Sequence, residues 1–241
     1  MSESFQLIVL HTIKHKESGI IVQGYSDRAG RETFFLRGAG KKEKSSNLSQ
    51  LHPLSVLEVT LSSMKLSEIP IIKEFSAAFR LPSIRGDVFK SSIALFISEL
   101  IFRTIKEQEQ NIELYSFLLT SIKLLEEIKY GTPNFHPYFM IGFCRQIGYS
   151  PEALLHRDGM LFDIPSAKYL PLKEKSEFCF GPQESSLLHK LSVTPVQEIS
   201  SIKITGDQRY LFIKEMIRYI SFHTGHNLRV ESLEVLHEVF E

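Results

Sequence analysis

Over the first 80 of the 241 residues, apolar side chains come in short runs rich in Val, Ile and Phe, broken by Gly, Ser, Asp and Pro. That is the pattern of strands bounded by turns. Five segments stand out, at 5–13, 19–25, 32–37, 55–61 and 66–75, the last interrupted by Pro70. Residues 26–30, Ser-Asp-Arg-Ala-Gly, supply a reversal between the second and third, with Gly30 able to take positive φ. Five short antiparallel strands in about 80 residues fit a small closed barrel of the OB type.

From residue 83 the period becomes helical. Asp87 is a suitable N-cap for a helix reaching about Lys106, whose Phe89, Ile93, Phe96 and Leu100 recur at spacings of four, three and four, widened by Ile97, Ile101 and Ile105. A second helix at 112–129 puts Tyr115, Leu118, Ile122 and Leu125 on one face and ends at Gly131, and a third at 135–147 stops at Gly148. Residues 149–184 have no sustained period and hold Pro151, Pro165, Pro171 and Pro182, which predicts an irregular insert with a short hairpin around 169–180. Helical pattern returns at 185–191, 207–223 and 232–240, and Thr205 with Gln208 has the spacing of a capping box. The expected architecture is α+β: an N-terminal five-stranded OB-type barrel over 1–80, then an all-helical domain over 81–241 carrying the insert at 149–184.

Charge changes this picture only locally. Lys plus Arg and Asp plus Glu are 28 each, so the chain has no net charge. Residues 1–80 nonetheless hold eleven cations and eight acids, which concentrates a modest positive excess in the barrel. Within it, residues 24–44 interleave glycines, aromatics and cations as no other stretch does. Arg28, Arg31, Arg37, Lys41, Lys42 and Lys44 are suited to neutralise phosphates, and Tyr25, Phe34 and Phe35 to stack on unpaired bases. Strand aromatics are more often core and lysine runs more often solvated loop. Phe34 and Phe35, being adjacent, point to opposite faces, so at most one is expected in the core.

Other chemistry is sparse. There is no phosphate loop, nucleophile elbow, His-Glu-x-x-His or Asp-x-Asp pair, so no catalytic residue and no enzymatic activity is expected. His156, Asp158 and Asp163 in the insert would serve a metal hydrolase, but no spacing recommends it. His223 and His226 straddle a helix end, where an imidazole facing the helix dipole is the simpler account. Cys144 and Cys179, each beside phenylalanine, read as small buried hydrophobes in a reducing compartment. No signal-like or membrane-length apolar run is present, which predicts a cytosolic, soluble chain.

Taken in order, several local patterns resemble the bacterial recombination mediator family RecO across essentially the whole chain. They are the strand at 7–10, the polar turn Lys16-Glu17-Ser18, the strand at 20–22 leading to Ala29-Gly30, and the strand end Arg37-Gly38 followed by Lys41-Lys42. Pro53 before the fourth strand, Ser98-Glu99-Leu100 in the first long helix and the C-terminal stretch 224–236 continue the series. The resemblance implies a mediator without turnover. It would bind single- and double-stranded DNA, anneal complementary strands, contact the acidic C-terminal tail of single-strand-binding protein, and act with RecR to load RecA, in the cytoplasm at the nucleoid. Arg145, Lys214 and Arg218 on the helical body are the residues suited to meet an acidic tail. Many relatives carry a four-cysteine zinc site after the third helix, whereas 149–184 has Cys179 alone. Neither metal nor cofactor is therefore expected, and Leu154, Leu155, Phe162, Tyr169, Leu170 and Phe178 should hold the insert. A protein-interaction adaptor, or an RNA-binding OB protein without annealing activity, is the alternative reading.

Overall fold

The computed structural model describes residues 4–15, 19–37, 50–66 and 68–241. Strands β1 (Ser4–His15), β2 (Gly19–Ser26), β3 (Gly30–Arg37), β4 (Val56–Leu66) and β5 (Ile69–Ala77) close into a barrel in the order β1-β2-β3-β5-β4. A closed ring of five strands cannot alternate direction all the way round, so one neighbouring pair must be parallel. That pair is β3 with β5, through Phe35 opposite Ile71 and Leu36 opposite Ile72, and it corrects the all-antiparallel expectation. Alternate residues point inward, and Leu7, Val9, Val22, Phe34, Leu57, Val59 and Ile72 fill the interior. The register of β1 slips between Val9 and His11, after which residues 11–14 are exposed. Such a bulge is a common device at a barrel rim, where it re-aims the strand.

The turn from β2 to β3 forms as the sequence predicts, with Gly30 at φ +68°. Gly30 also allows close approach: a Cβ there would stand 2.4 Å from the Glu109 carbonyl oxygen, so only glycine fits.

Contacts divide the chain into two units, Met1–Asp87 with Ala94–Glu126, and Val88–Ile93 with Glu127–Glu241. The first contains the barrel, a short helix α1 (Pro82–Gly86), most of α2 (Val88–Thr104) and most of α3 (Ile112–Glu127). The apolar stripes predicted for α2 and α3 are buried where they fall in this unit, at Phe96, Ile97, Leu100 and Ile101 and at Tyr115, Leu118, Ile122 and Leu125. Polar contacts add direction to the packing. The Tyr115 hydroxyl donates to Gln6 Oε1 at 3.0 Å, and Gln6 Nε2 donates to Glu58 at 2.6 Å. The unexpected α1 starts at Pro82, and its first free N–H groups, on Ser83 and Ile84, donate to the Glu126 carboxylate at 2.8 and 2.9 Å.

The second unit holds α4 (Thr132–Gln146), β6 (Met160–Asp163), β7 (Lys168–Pro171), α5 (Pro182–Val193), a 3-10 turn at Val196–Ser201, α6 (Gly206–Thr224) and α7 (Ser232–Phe240). The hairpin in the insert is formed by β6 and β7, earlier in the chain than 169–180. Asp163 fixes it there: its carboxylate accepts from the Ser166 N–H and hydroxyl and from the Ser176 N–H at 3.1, 2.8 and 2.7 Å. Burial raises this carboxyl's pKa, but the serine hydrogen bonds outweigh that and hold it below the ordinary aspartate value. Phe162 and Tyr169 face each other across the hairpin and are buried with Ile164 and Phe180. The Tyr169 hydroxyl donates to the Ser185 carbonyl at 2.7 Å. Leu154, Leu155 and Phe178, expected to hold the insert, are instead 66%, 76% and 54% exposed, and Leu170 is half-buried. Phe162 and Tyr169, by contrast, are both tied to Ser185 of α5, whose hydroxyl oxygen accepts from the Phe162 N–H at 3.0 Å. Cys144 is buried as expected, and Cys179 is only partly so. The capping box of α6 is complete, with Thr205 Oγ1 accepting from the Gln208 N–H at 3.2 Å and Gln208 Oε1 accepting from the Thr205 N–H at 3.0 Å.

Candidate nucleic-acid interface

The residues proposed for phosphate and base contact separate sharply once placed. Tyr25 sits on the outer face of β2 but is only 2% exposed, and burial, with Glu107 adding to it, pushes its hydroxyl pKa up to about 12. Phe34 lies in the barrel interior, its ring centroid 5.5 Å from that of Phe5. Neither ring presents a face to a base, which corrects the stacking expectation. Phe35 points outward, as its parity demands, and it too is buried. The expectation that one of the adjacent pair would be core holds for Phe34, while Phe35 is covered on the other side of the sheet.

The cations divide in the same way. Arg28 is in an ion pair with Glu32 at 2.8 Å, and its guanidinium carbon lies 3.7 Å from the Phe5 ring centroid. Arg31 Nη1 donates to the carbonyls of Phe102 and Ile105, both at 3.0 Å, and the guanidinium lies over the Phe102 ring at 4.2 Å. These are the carbonyls at the C-terminal end of α2, where a cation satisfies acceptors left over by the helix and meets its negative end. Lys106 Nζ donates to the same Phe102 carbonyl at 3.2 Å. Its pKa is lowered by burial, by Arg31 and by Arg103, as expected where cations crowd one helix end.

Arg37 is different. It ends β3 exposed, with no hydrogen bond or ion pair among the described residues. Lys41, Lys42 and Lys44 follow it in sequence and lie outside the described residues. Beside Arg37, the end of β1 carries residues that composition did not single out: Ile13, exposed, and His15, half-buried, lie on the outer face, and Lys14, also exposed, has the opposite parity. The available signal was register, since His15 pairs with Gly19 and Gly19 with Arg37.

On the second unit, Arg145 is exposed in the last turn of α4. Lys214 and Arg218 share one face of α6, four residues apart. Lys214 Nζ is 5.2 Å from the Tyr210 ring centroid, and Arg218 donates to the Cys179 carbonyl at 2.9 Å and pairs with Glu215 at 3.4 Å. Leu211 and Phe222, both exposed, extend that face, so it presents two cations between two apolar side chains. Arg145 is on another helix.

For metal chemistry, His223 Nε2 faces the Ile164 carbonyl at 2.8 Å, and because a carbonyl only accepts, that nitrogen carries the hydrogen. It is thus a strut for the insert, and His226 is exposed. His156 packs against Tyr169 and His189, while Asp163 is engaged by serines. Among the described residues, Asp207, His237 and Glu241 are near one another, with His237 Nε2 3.1 Å from Glu241 and 3.8 Å from Asp207. Both carboxylates there are largely solvated. Among the described residues, no helix is long and apolar enough to cross a membrane.

Residues 1–78 match the family model for the N-terminal part of recombination protein O, and residues 85–232 match the model for its C-terminal part. The chain is 28% identical to the DNA repair protein RecO of Flavobacterium psychrophilum, with 97% of both chains covered. It is 27% identical to the proteins of the same name from Phocaeicola vulgatus and Azobacteroides pseudotrichonymphae, again over 97% of each chain. With a closed five-stranded barrel under the first match and the helical body with its insert under the second, the chain belongs to the recombination protein O (RecO) family of DNA repair proteins.

Proposed function

We propose that this protein is a recombination mediator without catalytic turnover. It binds single- and double-stranded DNA, anneals complementary strands, and acts with RecR to help RecA load on DNA coated by single-strand-binding protein. The observation that carries the reading is the open end of β3, where Arg37 stands exposed without a partner among the described residues and, in sequence, leads into the Lys41, Lys42 and Lys44 run. Annealing needs a binder that is blind to sequence, concentrates strands and lets them rearrange, and backbone cations meet that need without base readout. The barrel at 1–80 supplies grip, while the helical body at 81–241 selects partners. The face of α6 bearing Lys214 and Arg218 between Leu211 and Phe222 suits a tail that is both acidic and apolar, such as that of single-strand-binding protein. Such a protein works in the cytoplasm, at the nucleoid.

The test is a strand-annealing assay with complementary strands coated by the cognate single-strand-binding protein. Acceleration at roughly stoichiometric protein, without nucleotide or metal, is expected. Failure to anneal, with DNA binding intact, would leave an adaptor or an RNA-binding protein as the better reading, and competition between RNA and DNA oligomers separates those two.

A further inference from the structure

With Tyr25 and Phe34 buried, a different surface of the barrel is left to meet bases. Register defines it. On the outer face, His11, Ile13 and His15 of β1 lie opposite Gln23, Ile21 and Gly19 of β2, which in turn lie opposite Thr33, Phe35 and Arg37 of β3. The first row is polar and knit together, with His11 Nδ1 3.3 Å from Gln23 Oε1. The second is apolar, with Ile13 44% exposed and Ile21 half-buried. In the third, glycine is required at position 19, because a Cβ there would lie 2.4 Å from Phe35 Cζ. The Phe35 ring thus covers the space over Gly19, as aromatics do where they protect a glycine in a sheet. His15 packs against that ring at 5.8 Å and Arg37 closes the row, exposed. The result is a shelf of aliphatic side chains and an imidazole with a cation at its border.

We propose that this shelf, centred on Ile13, Ile21 and His15, is where unpaired bases rest, with Arg37 taking the adjoining phosphate. The proposal rests on the DNA-binding reading above and specifies which bases are touched, and by what. Three strands about 4.8 Å apart make a strip roughly 10 Å across, enough for a single file of bases. A duplex keeps its base faces stacked inside and offers such a strip only phosphates, so Ile13 and His15 have something to bind only when the strand is single. Aliphatic and imidazole contacts to base faces are indifferent to sequence, as annealing requires.

The experiment is fluorescence anisotropy with a labelled oligothymidylate and a labelled duplex of the same length, over a salt series, for Ile13→Ser, His15→Ala and the unaltered full-length protein. Each variant should bind the single strand roughly fivefold or more weakly, the low end for losing a base contact of this kind. The salt slope and the duplex affinity should not change. Unchanged single-strand affinity, or equal losses on both DNAs, overturns the shelf while leaving DNA binding in place. No binding to either DNA by the unaltered protein removes the shelf together with the reading beneath it. Photocrosslinking of iodouracil-substituted single strand to the unaltered protein gives a second readout that no folding defect can cloud. Crosslinks are expected in the peptide spanning β1 and β2, and crosslinks confined to other peptides overturn the proposal.

Discussion

The two ends of the β2–β3 hairpin carry similar residues and use them in opposite ways. At the turn end, Arg28 is paired to Glu32 and laid on Phe5, and Arg31 is bound to the last carbonyls of α2. At the open end, Arg37 has no partner among the described residues, and the neighbouring Ile13 and Lys14 are exposed. A cation beside a helix end is drawn into the protein by acceptors that would otherwise lack partners. A cation left exposed at a barrel rim, away from such acceptors, stays available to a ligand. Counting positive charges along the chain treats the two alike, and only their surroundings tell them apart.

The sharpest way to break the comparison is at Gly30, which lets the turn end approach residues 107–109. Gly30→Ala forces a side chain onto a backbone at φ +68° and places its Cβ 2.4 Å from a carbonyl oxygen that cannot swing away. A loss of about 3 kcal/mol is expected, or a thermal midpoint lower by roughly 6–12 °C for a chain of this size. A melting curve unchanged from the parent would mean that the turn end is not locked to that segment, and the contrast between the two ends would collapse.

Arg31→Ala comes next in size. It removes two charge-assisted hydrogen bonds and a ring contact, and expected destabilisation is about 2 kcal/mol, seen as a midpoint lower by roughly 4–8 °C. Single-strand affinity per folded molecule, and its salt dependence, should stay as in the parent. If Arg31→Ala kept its stability and lost salt-dependent binding, Arg31 would belong to the DNA surface and not to the helix end.

What could be read along the chain was local. The positive φ at Gly30, the stripes of α2 and α3, and the reciprocal Thr205–Gln208 cap each depend on residues a few positions apart, so spacing alone reveals them. The fate of Tyr25 and Arg31 was not local. Arg31 Nη1 bonds Phe102, 71 positions away, and nothing in the 24–44 stretch announces that a helix end will cover that part of the sheet. Parity assigned Phe34 and Phe35 to opposite faces but did not reveal that the outer one would be buried as well. In the insert, turn chemistry was present in the sequence as Asp163, Pro165 and Ser166, yet the prolines drew the expected hairpin too far along. Lys41, Lys42 and Lys44 lie outside the described residues, so the basic run is known from its sequence only.

The smallest effect is also the most discriminating, because it compares two arginines of equal charge on the same hairpin. In Arg37→Ala the exposed guanidinium at the rim is removed. If it neutralises one phosphate of a single strand, one fewer counterion is released, and the slope of log affinity against log salt should fall by about 0.7. Thermal stability should stay within about 0.5 kcal/mol of the parent, since no protein contact is lost among the described residues. Arg28→Ala makes the same change in formal charge, but its guanidinium already has Glu32 at 2.8 Å. Engaging a phosphate would mean giving up that pair, so the slope should not move, while a partly exposed i,i+4 pair and a ring contact together contribute up to about 1 kcal/mol of stability. Equal slope changes in the two variants would show that DNA sees the net charge of the hairpin and not its individual side chains. A change in Arg37→Ala alone would show that the cation available to DNA is the one without a partner among the described residues.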